Sequence, residues 1–347
     1  MPLVLRRYLR ILFCRADKGG VGHYRVTLPV KYLRNTGFFC TDSMAISASL
    51  VESHDVLYFS RQYKWEIISF LQKFSAGLPI IHDFDDYLFH VDPANPASAL
   101  FYRPEVQKGL IEFTKMSKVV TVSTEPLMEE MKKRFPKKLI VLCPNGIEDD
   151  NWLNPEAKKP NDKIRIGWAG SVSHVGDMRI IADAVNEIAR KYQNKVEFHF
   201  FGVTEEWLSN VGIKTDAPNI HTHKPVPVEM YMAMLKNLNF DIGFAPLDLT
   251  RFNDCKSNIK FLEYTAAGVP GIYSPAYPYK SSIEHGVTGL LVKKNQIKHW
   301  IKAFEQLIHD EAMRKELVIK AQECVRKKWT MNQTVEYWSN AIEAAIQ

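Results

Sequence analysis

Apolar residues follow two rhythms along this chain. Short apolar runs, such as Ile11-Leu-Phe13 and Val119-Val-Thr-Val122, alternate with longer stretches whose apolar positions recur every three or four residues. The first rhythm predicts buried strands and the second amphipathic helices. In the first half, strands are expected over 9–14, 55–59, 78–81, 118–122 and 139–142. Helices are expected over 24–35, 64–74 and 105–116, with a fourth opened by Ser123-Thr124 and reaching Phe135. A second series starts with strands over 163–168, 196–201, 241–245 and 271–274, and His221 and His223 alternate on a further strand. Its helices are expected over 177–192, 228–238, 296–310, 311–328 and 332–346. Strand followed by helix, repeated, predicts an α/β fold of doubly wound parallel sheets with ligands at the strands' C-terminal ends.

At 347 residues the chain suits two cores better than one. The expected division is a first Rossmann-like domain over 1–150, a polar linker with two prolines over 151–162, a second Rossmann-like domain over 163–330 and a last helix over 331–347. Hydrophobic content of 46% and charged content of 24% are those of a globular protein. The net charge of +6 is mild. It favours phosphorylated ligands or an anionic membrane surface over dedicated nucleic-acid binding. Cys14, Cys40, Cys143, Cys255 and Cys324 are far apart and odd in number, which points to a reduced, cytoplasmic protein without a zinc or disulfide framework. No apolar run approaches the ~20 residues that span a bilayer, and the N-terminus lacks a signal-peptide pattern. The first ten residues, basic and apolar in turn, are a candidate peripheral contact with the inner membrane face.

The loops after the strands carry the candidate chemistry. The first strand runs into Gly19, Gly20 and Gly22, which allow close approach of backbone to ligand, followed by His23 and Arg25. The spacing is not a dinucleotide fingerprint. The strand at 78–81 ends in His82-Asp-Phe-Asp-Asp86. Three readings stand open there: a divalent metal on Asp83 and Asp85, a metal-free acceptor and sugar cleft, or carboxylates that cap the next loop and pair with arginine. The Pro- and Ala-rich stretch 91–104 is a candidate mobile loop over the cleft. After the strand at 163–168, Gly170 and Ser171 leave room for phosphate or sugar, with His174 nearby. His221 and His223 would need a third ligand to hold a metal, and the neighbouring sequence offers none.

The most informative segment is 251–270. It is expected to be a polar loop containing Asn253, then a helix capped by Ser257, with Ile259, Leu262 and Ala266 as its buried face. Gly268 and Pro270 stop it. Lys256 and Lys260 bracket its start, where free amides and the helix dipole favour an anion such as phosphate. Glu263, one turn on, is placed to accept from paired hydroxyls such as those of a ribose. An amphipathic helix with a solvated Lys/Glu edge would carry the same residues.

This segment resembles the donor-nucleotide helix of the family 4 retaining glycosyltransferases, which have the GT-B fold of two Rossmann-like domains facing a cleft. Glu263 matches the family glutamate that holds the ribose. The preceding glutamate, which contacts the donor sugar, is replaced by Cys255, eight residues earlier. The Asn253, Lys256, Ser257 and Lys260 arrangement is similar to a variant branch associated with bacterial surface polysaccharides. Cys143-Pro-Asn-Gly-Ile147 resembles the turn that leads out of the first domain, and 283–292 the glycine turn after the donor helix. The resemblance implies a last helix that crosses back to the first domain, and His82 as a sugar contact. It also implies an Arg and a Lys after the strand at 163–168. This chain offers Ser171 and His174 instead, which shifts diphosphate neutralisation to Lys256, Lys260 and Arg25.

The function so implied is transfer of a sugar, with retention, from a nucleoside-diphosphate sugar to a hydroxyl of a glycan, lipid-linked or protein acceptor. The expected catalytic residues are His82, Asp83 and Asp85. The expected donor-binding residues are Gly20, Gly22, Arg25, Gly170, Ser171, His174, Asn253, Lys256, Ser257, Lys260 and Glu263. The sugar nucleotide is a co-substrate, and neither a metal nor another cofactor is expected. The alternatives are another reaction on the same architecture, such as a sugar-nucleotide epimerase, and a non-catalytic sugar- or partner-binding module.

Overall fold

The computed structural model describes residues 8–75, 77–91, 96–148, 153 and 160–347. Most of the expected linker, the basic lead-in at 1–7 and the tip of the Pro- and Ala-rich loop lie outside the described residues.

Two six-stranded parallel sheets form the frame. The first contains β1 (Arg10–Cys14), β2 (Phe39–Ser43), β3 (Val56–Ser60), β4 (Ile80–Phe84), β5 (Val119–Val122) and β6 (Leu139–Leu142) in the order β2-β1-β3-β4-β5-β6. The second contains β7 (Ile164–Ala169), β8 (Val196–Phe201), β9 (Ile220–His223), β10 (Ile242–Ala245), β11 (Gly271–Tyr273) and β12 (Leu290–Leu291) in the order β12-β11-β10-β7-β8-β9. The central strands are buried on both faces, as β3 and β4 show along their whole length, because helices cover each side.

Several local features differ from expectation. Strand β2 went unpredicted, because only Phe39 and Cys40 are apolar and it lies at the sheet edge. The helix expected over 24–35 starts earlier, at Gly20–Gly22, and passes through a π-helical turn, His23–Thr27, before the α-helix Leu28–Asn35. The Leu28 amide donates five residues back, to the His23 carbonyl. Pro29 has no N–H to give the Arg25 carbonyl, and its ring widens the turn. The helix expected over 177–192 is broken into Val175–Arg179 and Ala182–Lys191. Residues Arg251–Asp254, expected as loop, form a single helical turn capped by Thr250.

The last helix, Met331–Ile346, packs against the helix Leu28–Asn35 and against β3 to β6. It returns to the first sheet and buries Trp338 and Ile342 there. The two halves also share apolar packing. Phe252 and Cys255, carried by the second half, are enclosed with Phe84, Tyr87, Leu88 and Met131 of the first. The C-terminal ends of both sheets therefore face each other across a filled seam.

Candidate functional site

The helix Ile259–Ala266 follows β10 and the single turn Arg251–Asp254. Its C-terminus is a Schellman motif. Gly268 sits at φ +67°, its amide donates to the Thr265 carbonyl, and the Val269 amide donates to the Tyr264 carbonyl. Its start differs from expectation. The N-cap position is Asn258, whose side chain makes no cap bond and donates to Ser282 Oγ at 2.9 Å. Ser257 instead accepts from Asn145 Nδ2 at 3.0 Å, which ties the Pro-Asn-Gly turn of the first half to this loop.

Around this helix the side chains form two linked clusters. In the first, Glu263 is almost enclosed. Its Oε1 accepts from the Tyr24 hydroxyl at 3.0 Å, and its Oε2 accepts from the Tyr231 hydroxyl at 2.9 Å and from Lys260 Nζ at 2.8 Å. Tyr24 belongs to the first half, so this carboxylate is already held across the seam. Burial and the Glu263 charge push both tyrosines well above the ordinary phenol range, so their hydroxyls stay protonated donors. Tyr231 stacks on Phe201 at 5.3 Å, which fixes its ring.

The second cluster is centred on Asp177, a residue not singled out in the sequence. Its Oδ1 accepts from Asn253 Nδ2 and from the Asp248 amide, each at 2.8 Å. Its Oδ2 faces His174 Nδ1 at 2.8 Å and Lys256 Nζ at 3.8 Å. Burial alone would raise the Asp177 pKa, but Lys256 and the His174 bond bring it down to about 2. Burial, reinforced by the Lys256 charge, lowers His174 and keeps it neutral at pH 7. Lys256 Nζ lies 5.0 Å from the centre of the Phe252 ring. Asn253 thus orients Asp177 from a buried position.

The strand end of β4 departs most from expectation. His82 and Asp83 are fully enclosed. His82 Nδ1 lies 3.0 Å from Thr114 Oγ1, its ring packs between Phe84 and Phe113, and burial pushes its pKa down to about 3. Asp83 receives two bonds from Arg25, at 3.1 and 2.7 Å, and one from Thr121 at 2.8 Å. Arg25 also donates to the Cys143 carbonyl at 2.7 Å and to Asn145 Oδ1 at 2.8 Å, with its guanidinium 4.5 Å from the Trp338 ring centre. Burial opposes the Arg25 charge, but Asp83 outweighs it and raises the pKa. All three are fully enclosed, and Arg25 with Asp83 ties β4 to the turn at Cys143 and Asn145.

Asp85 and Asp86 do face it, and both are engaged by Arg61, with Asp86 2.8 Å from Nη2. The third sequence reading, arginine pairing, describes this corner. Arg61 was missed because nothing in its local pattern marks it. Its backbone lies at φ +48°, an uncommon conformation for a side-chain-bearing residue and one that costs on the order of 1 kcal/mol. Burial and the neighbouring Asp85 charge raise the Asp86 pKa, while the Arg61 and Lys256 charges oppose that rise, so these groups lie within electrostatic reach.

The glycine loop is closed on itself. Asp17 Oδ1 accepts from the amides of Gly19 at 2.6 Å and Gly22 at 3.3 Å. A side chain at Gly22 would meet the Asp17 carbonyl, whereas Gly20 borders open space. Of the expected pair, Gly22 is thus a folding requirement and Gly20 is free to approach a ligand. Gly170 donates its amide to the Phe201 carbonyl at 3.0 Å and leaves no room for a side chain beside Trp168. Ser171 follows it, exposed, with its hydroxyl 2.7 Å from that of Ser173. A turn of the first half, Pro96–Tyr102, lies against Val172–His174. A cavity of about 510 Å³ opens beside residues 256–258, lined by Thr124, Asn145, Lys256, Asn258, Tyr277 and Trp329 among others.

The replaced family glutamate also has a structural account. Cys255 is buried among apolar groups of the first half, and burial pushes its thiol up to about 12. Its carbonyl accepts from Thr124 Oγ1 at 2.8 Å. The position closes the seam and presents no charge.

Comparison with known proteins agrees with this architecture. The family model described as glycosyl transferases group 1 matches residues 153–323. Among solved structures, HepE of Anabaena, crystallised with UDP and glucose, is 12% identical with a TM-score of 0.69, over 97% of this chain and 100% of that one. Sucrose-phosphate synthase of Thermosynechococcus elongatus is 13% identical with a TM-score of 0.67, over 97% and 98%. TarM of S. aureus, crystallised with UDP, is 15% identical with a TM-score of 0.62 over 82% of this chain, which spans 55% of TarM. These likenesses establish the fold, two Rossmann-like domains of the GT-B kind. No curated protein sequence matches the chain.

Proposed function

We propose that this chain, whose residues 153–323 match the family model of the glycosyl transferases group 1, moves a sugar from a nucleoside-diphosphate sugar to a hydroxyl acceptor. The observation that carries the reading is the convergence of Lys256, Lys260 and Glu263 at one helix start that faces the first half. Glu263 accepts the ribose hydroxyls once Tyr24 or Tyr231 gives way. Lys256, Lys260 and the first amides of Ile259–Ala266 take the diphosphate. Negative charge grows on that group as the glycosidic bond breaks, so fixed cations there stabilise the transition state more than the ground state. With two ammonium groups so placed, the diphosphate needs no divalent ion.

Asp86, Asp85 and Arg61 line the sugar side, in place of the glutamate lost at 255. The acceptor hydroxyl enters from this side, and Gly20 and Ser171 border its approach. Attack on the face that the diphosphate leaves retains the anomeric configuration, and the departing phosphate takes the acceptor proton. Closure of the seam keeps water from the donor. Glycan, lipid-linked and protein acceptors all supply the required hydroxyl. No helix among the described residues is long and apolar enough to cross a membrane.

The test is a panel of sugar nucleotides, beginning with uridine diphosphate sugars. Each is followed for slow hydrolysis without acceptor and for transfer with one, in the presence and absence of chelator. NMR of the released or transferred sugar reads its anomeric configuration. Turnover of one donor with retained configuration, unaffected by chelator, supports the reading. Failure of every donor to bind or turn over would leave only the non-catalytic alternative.

A further inference from the structure

Strands β8 and β9 form the outer edge of the second sheet, in the register His199 opposite His221 and Phe201 opposite His223. Residues two apart on a strand share a face. Glu197, His199, His221 and His223 therefore meet on one face, the one that carries Phe201 and Tyr231 rather than the Phe198 and Phe200 core. The sequence showed His221 and His223 lacking a third ligand, and the neighbouring strand supplies two.

The geometry has the features of a ligand set. One donor atom each from Glu197, His199 and His221 lies within 4.8 Å of the others. His199 Nε2 is 3.4 Å from Glu197 Oε2, close to the ~3.3 Å between adjacent ligands of a tetrahedral ion with bonds of about 2.0–2.1 Å. His199 is more than nine-tenths buried, and its Nε2 has no hydrogen-bond partner. Its Nδ1 lies 2.9 Å from His223 Nε2, the kind of contact that orients a ligating imidazole from behind. Glu197 and His221 are only partly buried, which leaves an entry path from solvent. Lys163 and Arg165 lie nearby, but Lys163 is 3.7 Å from the other Glu197 oxygen and Arg165 donates to the Leu238 carbonyl.

We propose that Glu197, His199 and His221 bind one first-row divalent cation of the zinc class at this sheet edge. Two imidazoles and a carboxylate suit such an ion and leave a fourth position for water. The ion pins the edge strand β9 to β8. Residues 224–227 then lead from β9 directly into the helix Val228–Asn237, which presents Tyr231 to Glu263. The role is structural and independent of the transfer reaction.

Equilibrium dialysis of the full chain against Zn²⁺ tests this, with Co²⁺ absorption as a second readout. The expected result is about one ion per chain, intense visible Co²⁺ bands of a four-coordinate site, and a rise in Tm over the chelated protein. Glu197→Gln and His221→Asn should each weaken Zn²⁺ binding at least about tenfold, while His90→Asn, at an exposed histidine elsewhere, leaves it unchanged. Both substituted side chains are partly exposed, so folding is expected to survive, and either variant alone decides the outcome. No zinc bound at micromolar concentrations, or binding that persists in Glu197→Gln or His221→Asn, would overturn the proposal.

Discussion

The Tyr24 hydroxyl donates to Glu263 Oε1 at 3.0 Å, so a residue beside the first half's glycine loop holds the carboxylate of the second half that is proposed above to take the ribose. Glu263 already accepts from Tyr24, Tyr231 and Lys260, so two ribose hydroxyls would exceed its roughly four acceptor sites unless one of these gives way. A Tyr24→Phe variant removes one competitor without changing the charge. Its nucleotide affinity should rise, by up to about tenfold if the bond is worth about 1.4 kcal/mol. Isothermal titration reads this, and a fall in affinity would show that Tyr24 itself contacts the ligand.

Lys256 is expected to matter more for rate than for binding. Lys256→Ala should lower kcat by roughly a hundredfold or more, the scale for removing one preorganised stabiliser of transition-state charge. Steady-state kinetics on the identified donor checks this against Lys260→Ala. Lys260→Ala also frees Glu263 from a partner at 2.8 Å and should act mainly on donor KM.

Arg25 and Asp83 are expected to report on stability. Each is fully enclosed, and Arg25→Met leaves the Asp83 carboxylate buried with Thr121 as its remaining side-chain partner among the described residues. The loss should be about 3–5 kcal/mol. Asp83→Leu in the same chain should restore part of it, since the uncompensated charge goes. Denaturant midpoints of the two single variants and the double variant measure the coupling. Nucleotide affinity of folded Arg25→Met should change little, in contrast to a donor-contacting arginine.

Acid should weaken the fold through His82. Its folded pKa of about 3 lies below the ordinary value near 6.5, so between these values the unfolded chain binds more protons. Stability is full above pH 6.5 and falls as pH drops towards 3, with a slope of up to about 1.4 kcal/mol per pH unit. His82→Phe, which keeps a ring between Phe84 and Phe113, should flatten that slope between about pH 6 and pH 4. Chemical denaturation at several pH values gives the comparison.

The parts of this protein that local chemistry encodes were legible in its sequence. Ile259, Leu262 and Ala266 at helical spacing, with Gly268 to stop them, announced the helix Ile259–Ala266, and 139–142, 196–201 and 311–328 fall where the structure has them. What stayed hidden depends on residues distant in the chain. Nothing near Arg25 shows that Asp83, 58 residues on, will neutralise it. His82, Asp83 and Asp85 look alike as a polar run at a strand end. Yet strand alternation, the partner Arg61 and the closing helix Met331–Ile346 decide which of them see the seam. Ser257 looked like a cap because its competitor, Asn145, lies in the other half. Likewise Glu197 and His199 gain meaning only when β9 pairs beside β8.

The most direct measurement is titration of a panel of nucleoside diphosphates into the wild-type chain and into Glu263→Gln, a variant that keeps an amide oxygen for Tyr24 or Tyr231. The account predicts that one nucleotide binds one to one, and that the variant loses at least about tenfold in affinity while its Tm stays close to wild type. Binding of that nucleotide with unchanged affinity in Glu263→Gln, or no binding by any nucleotide, would contradict it.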